Sequence, residues 1–131
     1  MKPLLTTALL ISLSTLAMPA WSECVRGNCY NGFGVEKQPF DGPRYNGSFL
    51  NGDYHGKGVM TYSDGGSYDG DWVKGINHGK GVMTFANGLR YEGEFVNGQI
   101  HGKGALTAPD GSVLEAIWEN NKPVREIIKV K

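Results

Sequence analysis

The sequence predicts an all-β protein: a single-layer, elongated antiparallel β-meander built from hairpins that repeat every 23 residues. Three observations support this fold class. One pattern of 23 residues occurs three times in succession, apolar and polar residues alternate within it, and each copy contains turns with glycine. The 20 glycines among 131 residues fit a chain with many turns and close approaches of backbone to backbone.

Residues 1–22 have the composition of a secretory signal peptide. Lys2 supplies a positive charge, and an uncharged, largely apolar stretch follows from Leu4 to Met18. This stretch is short for a membrane span, and Ala20-Trp21-Ser22 places small residues where signal peptidase requires them. We therefore expect cleavage near Ser22 and export of the mature protein, either to the periplasm or fully out of the cell. A retained amino-terminal anchor is the alternative.

Residues 23–44 form a predicted amino-terminal cap that carries both cysteines of the chain, Cys24 and Cys29. In an oxidising compartment the expectation for such a pair is a disulfide, and a turn at Gly27 and Asn28 would close the small loop. Two thiols alone do not complete a tetrahedral zinc site, and a redox-active pair usually has two intervening residues. We therefore predict a structural Cys24–Cys29 disulfide.

The rest of this cap is predicted to be an imperfect half-copy of the repeat. Gly32, Gly34 and Asp41-Gly42 echo the glycines and the turn of the later copies, with one extra residue. An extra residue in one strand of an antiparallel pair forms a β-bulge, so we predict a bulge here. Atypical end copies are expected because they cap the stack of a repeat array.

Residues 45–113 contain the three regular copies, at 45–67, 68–90 and 91–113. In the second copy, the residues that alternate onto one side are Tyr68, Gly70 and Trp72 in the first strand and Gly81, Met83 and Phe85 in the second. Lys74-Gly75 and Asn87-Gly88 are turn dipeptides, and the second of them is a strong hairpin signal. Each copy is therefore predicted to be one β-hairpin.

Residues 114–131 are predicted to be a degenerate fourth copy with a capping strand near Glu126 to Val130. Leu114 and Ala116 occupy the places of the tyrosine and the glycine, and Pro109 falls in the second strand of the copy before. Because proline cannot donate to a strand ladder, we predict irregular hairpins in this part of the chain.

Gly47, Gly70 and Gly93 occupy the same position in the three copies, between two aromatic residues of one strand face. A glycine there leaves a flat patch of backbone on which an aromatic ring can lie, as in the covering of glycines used in designed sheets. The pattern therefore predicts a ladder of rings over glycines. On the opposite face, acids of first strands are predicted to lie near lysines of second strands and to help set the register: Asp71, Glu94, Lys57, Lys80 and Lys103.

The repeated motif Tyr-x-Gly-x-Trp/Phe-x-x-Gly-x-x-His-Gly-x-Gly resembles the MORN repeat over residues 45–121. The resemblance implies an elongated, twisted, single-layer antiparallel sheet. It also implies a role as a scaffold, a dimerisation module or a membrane-associated adaptor, and lipid binding has been proposed for the family. The segment from Cys24 to Gly34 is similar to the start of exported bacterial repeat proteins of this type.

The three histidines, His55, His78 and His101, share one repeat position and so suggest a metal site. One hairpin per copy separates them by about 9–10 Å, whereas the ligands of one zinc ion lie within about 4 Å of one another. We therefore interpret His-Gly as a turn element of the repeat, and we expect neither a metal nor a cofactor.

Asp69 and Asp71 suggest the paired carboxylates of a glycoside hydrolase, but Glu92 and Glu94 recur at the equivalent positions with the alternation of a solvated strand face. A catalytic pair would not normally be duplicated, so we expect a non-enzyme, and an envelope enzyme is the least favoured class. No glycine-rich segment leads into a helix with a phosphate-binding motif. The formal net charge is zero and basic residues are dispersed, which predicts no nucleic-acid partner.

Eight aromatic residues are predicted to project to one side of the sheet and to form its contact surface: Tyr45, Phe49, Tyr62, Tyr68, Trp72, Phe85, Tyr91 and Phe95. A single-layer sheet has no second layer to cover them, and a contiguous apolar strip usually marks a contact site. The alternative is that rings packed over glycines form a self-sufficient core. We predict a non-enzymatic scaffold or protein-binding module of the cell envelope, whose partner is another protein or a second copy of itself. A membrane-lipid binding module is the alternative function.

Overall fold

The structure, a computed structural model, describes residues 21–127, which form one ten-stranded sheet with its strands in chain order. The strands are β1 (Glu23–Gly27), β2 (Gly32–Lys37), β3 (Arg44–Leu50), β4 (Asp53–Thr61), β5 (Ser67–Val73), β6 (Ile76–Thr84), β7 (Arg90–Val96), β8 (Gln99–Thr107), β9 (Val113–Glu119) and β10 (Lys122–Glu126). Each strand pairs antiparallel with the next, so the predicted all-β meander is confirmed. Over the described part of the chain, we find no helix long and apolar enough to span a bilayer.

The turn inside each repeat is a two-residue hairpin. Lys74 and Gly75 have φ angles of 49° and 79°. Positive φ at both central positions is typical of type I′ turns, whose twist matches that of antiparallel strands. Gly75 N donates to Tyr54 O, and Gly98 N donates to Asn77 O, each at 2.9 Å. These turns are therefore bound to the hairpin before them, and they link the repeats along one edge of the array.

The turn between repeats accommodates the extra residue of the half-copy. In the second copy, Phe85 N donates to Leu89 O at 2.8 Å around the predicted Asn87-Gly88 turn. The corresponding bond of the half-copy joins Gln38 N to Pro43 O at 2.9 Å and encloses one more residue. β2 then pairs with β3 without a register shift. The extra residue therefore forms no bulge in the β2–β3 pair, because a longer loop absorbs it without breaking the ladder, and the bulge of this cap lies instead between Cys24 and Arg26 of β1.

Each regular repeat carries a bulge within its hairpin. In the second copy, residues 78–80 of β6 lie opposite the single residue Asp71 of β5. Gly79 has a φ of 91°, which residues with a Cβ rarely adopt. Asp71 Oδ2 accepts a hydrogen bond from Lys80 N at 3.1 Å and so satisfies an amide next to the bulge. His-Gly is therefore a bulge element inside the second strand and not the turn element that we predicted.

β8 and β9 pair without a register shift, which corrects the prediction of irregularity there, whereas β10 shifts register against β9 between Pro123 and Arg125. Pro109 lies in the turn after β8, where Ala108 N donates to Ser112 O at 2.9 Å. A proline in this turn removes no ladder hydrogen bond. β9 pairs with β8 from Val113 to Trp118, and Trp118 Nε1 donates to Gly104 O at 3.1 Å. The alternation of the degenerate copy is thus sufficient to form its hairpin, although its tyrosine and glycine are replaced.

Two of the segments predicted from the sequence extend beyond residues 21–127. Positions 1–20 of the predicted signal peptide lie outside the described residues, and so do positions 128–130 of the predicted closing strand. The last described strand, β10, ends at Glu126. Ile127 N donates to Glu115 O at 2.8 Å, which continues the pairing of β10 with β9 by one residue.

β1 and β10 are the outer strands of the sheet within residues 21–127. Their registers shift between Cys24 and Arg26 in β1 and between Pro123 and Arg125 in β10. Bulges and proline at an edge hinder pairing with a further strand. The two ends of the array are therefore poor templates for strand addition.

The hydrophobic core lies on one face, where aromatic rings cover paired glycines. Gly70 of β5 lies opposite Gly81 of β6, and the Tyr68 ring lies over this pair. A Cβ at Gly81 would stand 2.5 Å from Tyr68 Oη, which is closer than real Cβ contacts. Trp72 Nε1 donates to Gly58 O of the preceding repeat at 3.0 Å. Tyrosine, tryptophan and glycine therefore connect each repeat to its neighbour on this face.

Candidate functional site

The aromatic residues predicted as a contact surface are for the most part buried. Six of them have exposed fractions between 0% and 4%: Tyr45, Phe49, Tyr68, Trp72, Tyr91 and Phe95. Tyr62 is partly buried, and Phe85, which lies just beyond the end of β6, is 39% exposed. The expectation that a single layer leaves the rings uncovered is therefore wrong.

The rings are buried because they cover one another within and between repeats. Tyr68 meets Trp72 of its own strand and Phe95 of the next repeat edge to face, with centroid distances of 5.1 and 5.0 Å. Tyr91 meets Phe95 at 5.3 Å and Trp118 at 5.5 Å in the same geometry. Edge-to-face pairs of this kind contribute about 0.5–1.5 kcal/mol beyond burial of their area. The rings form the core, and they leave little surface for a partner.

Burial also changes the titration of the tyrosine hydroxyls in this core. Desolvation raises the pKa of Tyr45 and of Tyr91 to about 12 in each case, and it raises the pKa of Tyr68 as well. A raised pKa means that the folded chain holds these protons more tightly than the unfolded chain does. The folded state therefore disfavours tyrosinate at these three positions.

We expect the protein to lose stability in the alkaline range for this reason. The contribution is fully present below the pKa of unfolded tyrosine, about 10, and is lost as the pH rises from there towards about 12. In a pH titration, the tyrosinate absorbance of the core residues should appear together with the loss of the circular dichroism of the sheet. Complete tyrosine ionisation with an unchanged sheet signal would contradict this expectation.

The face opposite the rings carries a groove of about 810 Å³ that crosses the strands. Its floor is the backbone of the glycine row Gly70, Gly81, Gly93 and Gly104. Its remaining lining residues, most of which flank these glycines in sequence, are Lys57, Asp69, Lys80, Val82, Glu92, Glu94, Lys103, Ala105, Glu115 and Ile127. Side chains alternate along a strand, so the neighbours of a core glycine project away from the rings. We call this groove the charged groove.

Two rows of side chains form the walls of the charged groove. The lysine row contains one lysine from the second strand of each repeat: Lys57, Lys80 and Lys103. The acid row contains one acid from each of the strands β5, β7 and β9: Asp69, Glu92 and Glu115. Members of one row are two strands apart, which corresponds to a spacing of about 9.4–9.8 Å. Because of the 23-residue repeat, charges of the same sign recur at a regular distance along each wall of the groove.

Two further acids, Asp71 and Glu94, accept hydrogen bonds from backbone amides of the lysine row. Asp71 Oδ1 lies 2.5 Å from Lys57 Nζ, and Asp71 Oδ2 accepts from Lys80 N. Partial burial alone would raise the pKa of Asp71, but these contacts with Lys57 and Lys80 hold it below its usual value. Glu94 Oε2 accepts from Lys103 N at 2.7 Å and has the same function in the next repeat. These carboxylates therefore stabilise the bulges.

Other charges of the charged groove are available to a ligand. Among residues 21–127, no carboxylate lies within ion-pairing distance of the Nζ atoms of Lys80 and Lys103, and no cation does so for Asp69. All three side chains are exposed. Glu92 pairs with Arg90 at 3.0 Å, but both side chains are largely exposed, and such pairs contribute only about 0–1 kcal/mol. A cationic group of a ligand can therefore replace Arg90 as the partner of Glu92 at a small cost in free energy.

The histidines lie at the equivalent bulges of the three repeats and have a structural contact in one case. His78 Nδ1 accepts a hydrogen bond from Asn97 N at 3.3 Å, which links a bulge to the turn of the next repeat. In the described part of the chain, no group of three or more histidine, cysteine or acidic residues could hold a metal ion.

A disulfide joins Cys24 and Cys29, whose Cα atoms are 5.8 Å apart. It covers Gly34 of β2, which lies opposite Gly47 of the first regular repeat. A Cβ at Gly34 would lie 2.9 Å from Cys29 Sγ, so the sulfur takes the place that a tyrosine ring has over later pairs. The disulfide therefore caps the amino-terminal end of the core.

The lysines and acids were predicted from the sequence only to help set the register, and the charged groove was not predicted. A signal for it was present in the sequence. Each core glycine is flanked on both sides by side chains that are mostly polar, as in Asp69-Gly70-Asp71 and Lys80-Gly81-Val82. A row of glycines without side chains, between two such flanking rows, leaves a channel across the sheet.

Comparison with protein families identifies the repeat. A family model described as the MORN repeat matches residues 45–67, 68–90 and 91–113, which together are more than half of the chain. These are the segments that self-comparison of the sequence separates. No curated protein matches the chain. Repeats of this kind are generally non-catalytic modules that bind proteins or lipids or serve as scaffolds.

Proposed function

The chain belongs to the MORN repeat family, and from this premise we propose that it is a non-enzymatic binding module of the cell envelope that holds a protein partner along the charged groove. The observation that carries the proposal is a set of exposed charges that recur along the groove and have no ion-pair partner among residues 21–127: Lys80, Lys103 and Asp69. Repeat arrays commonly use one extended surface for binding.

The rest of the molecule supports the choice of this surface. The aromatic rings are buried in the core, and bulges and a proline at the edges disfavour the addition of a strand. The charged groove is a repeated, extended surface that is open to solvent. Lysines and acids are interleaved along it, so it offers no continuous basic patch of the kind that binds anionic lipid head groups.

The Cys24–Cys29 disulfide supports the proposed location in the envelope. Disulfides form and persist in oxidising compartments such as the periplasm and the cell exterior. The signal-like composition of residues 1–22 points to the same location. The mass of the mature protein tests this part of the proposal, since cleavage after Ser22 leaves Glu23 as the first residue.

Site-specific photo-crosslinking tests the binding function. A photoreactive side chain at Val82, in the charged groove, is expected to give a discrete protein adduct in intact cells. The same side chain at Ala86, an exposed turn residue four positions away, serves as the matched control and should not. The adduct should be reduced by Lys80→Glu/Lys103→Glu, because that change reverses the two free cations. Equal adducts from both positions, or none from Val82, would refute the proposal.

A further inference from the structure

We propose that the charged groove recognises a segment in polyproline II conformation that carries an acidic and a basic residue in every turn of three residues. This inference rests on the proposed function and names the chemical class of the partner. Its first basis is the spacing of the groove. Equivalent charges recur every two strands, at about 9.4–9.8 Å, and a polyproline II helix rises about 9.3 Å per turn.

Other backbone conformations do not match this spacing. An extended β-strand laid across the sheet presents equivalent side chains about every 6.4–6.8 Å, so its charges fall out of phase after one repeat. An α-helix returns to the same face after seven residues, which is about 10.5 Å. Over the two intervals of the lysine row, from Lys57 to Lys103, this helix drifts by about 1.4–2.2 Å, whereas polyproline II drifts by about 1 Å or less.

The width of the groove favours a narrow occupant as well. The lysine row and the acid row flank the glycine row and are two residues apart along each strand, as Lys80 and Val82 are on either side of Gly81. Two residues of a strand span about 6.4–6.8 Å. An α-helix with its side chains is about 10–12 Å across and cannot enter between the rows. A single extended chain is narrower than a helix, so it can lie along the glycine floor between the two rows.

The charges of the two rows determine which side chains the occupant presents. The exposed ammonium groups of Lys80 and Lys103 face one side of the channel and require carboxylates about one turn apart. Asp69 and Glu92 face the other side and require cations with the same spacing. The three-fold symmetry of polyproline II lines up every third residue, so one ridge carries the acids and a second carries the bases. The residues of the third ridge carry neither an acid nor a base, and we assign proline to these positions.

Proline at the third position has a physical reason. It fixes its own φ near −65° and also biases the preceding residue towards extended conformations. A segment that already has the bound conformation loses less entropy on binding, which offsets the weakness of exposed ion pairs. The apolar side chains at the channel wall, Val82 and Ala105, lie between the acids and contact the occupant without competing for charge.

Calorimetric titration of the full chain with synthetic peptides tests the inference. The probe repeats Pro-Glu-Lys over about 12 residues, slightly more than the roughly nine that cover the groove. One control peptide replaces every proline by glycine. A second repeats Pro-Glu-Pro-Lys, whose charges recur about every 12.4 Å in the same conformation and so do not match the sheet. We expect the probe to bind at least tenfold more tightly than either control.

Charge reversal of the protein completes the test. Lys80→Glu/Lys103→Glu should weaken binding of the probe at least tenfold, whereas Lys37→Glu/Lys74→Glu changes the same number of charges outside the groove and should leave it unchanged. Three results of these titrations would overturn the inference: equal binding of the probe and the glycine peptide, equal binding by the two double variants, or no binding of the probe.

Occupation of the groove by a second copy of the chain, seen as dimers that the probe does not dissociate, would overturn it as well. If the Val82 crosslink is nevertheless found, the proposed function stands and only the polyproline class of partner fails.

Discussion

Replacing Gly70 with valine is expected to lower the free energy of unfolding by more than about 3 kcal/mol, one of the largest effects of any single substitution in this chain. A Cβ at Gly70 would lie 2.5 Å from both the Gly81 Cα and the Lys80 carbonyl oxygen, and 2.9 Å from Tyr68 Oη. Two of these three atoms belong to the backbone of the paired strand and cannot rotate away. The substitution therefore separates β5 from β6 or displaces the ring above them. Urea or thermal unfolding of the two proteins measures the difference.

Val73→Gly is the matched control for this experiment. Val73 ends the same strand, and its side chain is 41% exposed. Its replacement removes a partly exposed side chain and adds backbone freedom, which costs about 0.5–1 kcal/mol. Equal melting temperatures for Gly70→Val and Val73→Gly would show that the close approach of the glycines does not determine stability.

The 23-residue period was sufficient to predict one hairpin per regular copy and the turns at Lys74-Gly75 and Asn87-Gly88. Once Tyr68, Gly70 and Trp72 are assigned to one strand face, the Gly-Lys-Gly segment of the next strand follows with a glycine opposite Gly70. Local turn chemistry at Lys74-Gly75 supports the same assignment. These features depend on residues close in sequence, so alternation and turn dipeptides are enough to determine them.

Features that depend on geometry between repeats were not predictable in this way. Burial of Tyr68 follows from its contact with Phe95 of the next repeat, and the distance between the two rings depends on how the sheet twists. The extra residue of the half-copy could enter a strand or a loop, and its sequence does not distinguish the two. The charged groove required the register across several strands, since Lys80 and Glu92 line one channel only when β5 to β8 are all in place.

The two faces of the sheet thus have different roles, stability on one and the proposed binding on the other. The rings and the paired glycines provide stability on one face, and the interleaved charges remain exposed on the other. Exposed side chains such as Lys80 and Lys103 contribute little to stability, because exposed charges rarely do. Groove variants are therefore expected to fold, so that loss of binding can be separated from loss of structure.

Tyr68→Ala is expected to cost about 3–5 kcal/mol, comparable with the loss of other large aromatic side chains from a core. Tyr68 has an exposed fraction of 0%, and its ring contacts Trp72 and Phe95 and covers the Gly70–Gly81 pair. Removal of the ring opens a cavity at the junction of two repeats, and neighbouring backbone cannot fill it without breaking the ladder. Denaturant unfolding of the variant measures the loss.

Two further variants separate the causes of this effect and decide between core and contact surface. Tyr68→Phe retains the ring and removes only the hydrogen bond from Oη to Asp71 O, formed at 2.9 Å, so it should cost about 0.5–1.5 kcal/mol. Phe85→Ala removes a ring that is 39% exposed at the end of the same hairpin, and it should cost much less than Tyr68→Ala. If Tyr68→Ala instead left stability unchanged and abolished only partner binding, the rings would be the contact surface and not the core. The edge-to-face packing across repeats is the reason to expect the opposite, because a ring enclosed by its neighbours stabilises the fold and has no face left for a partner.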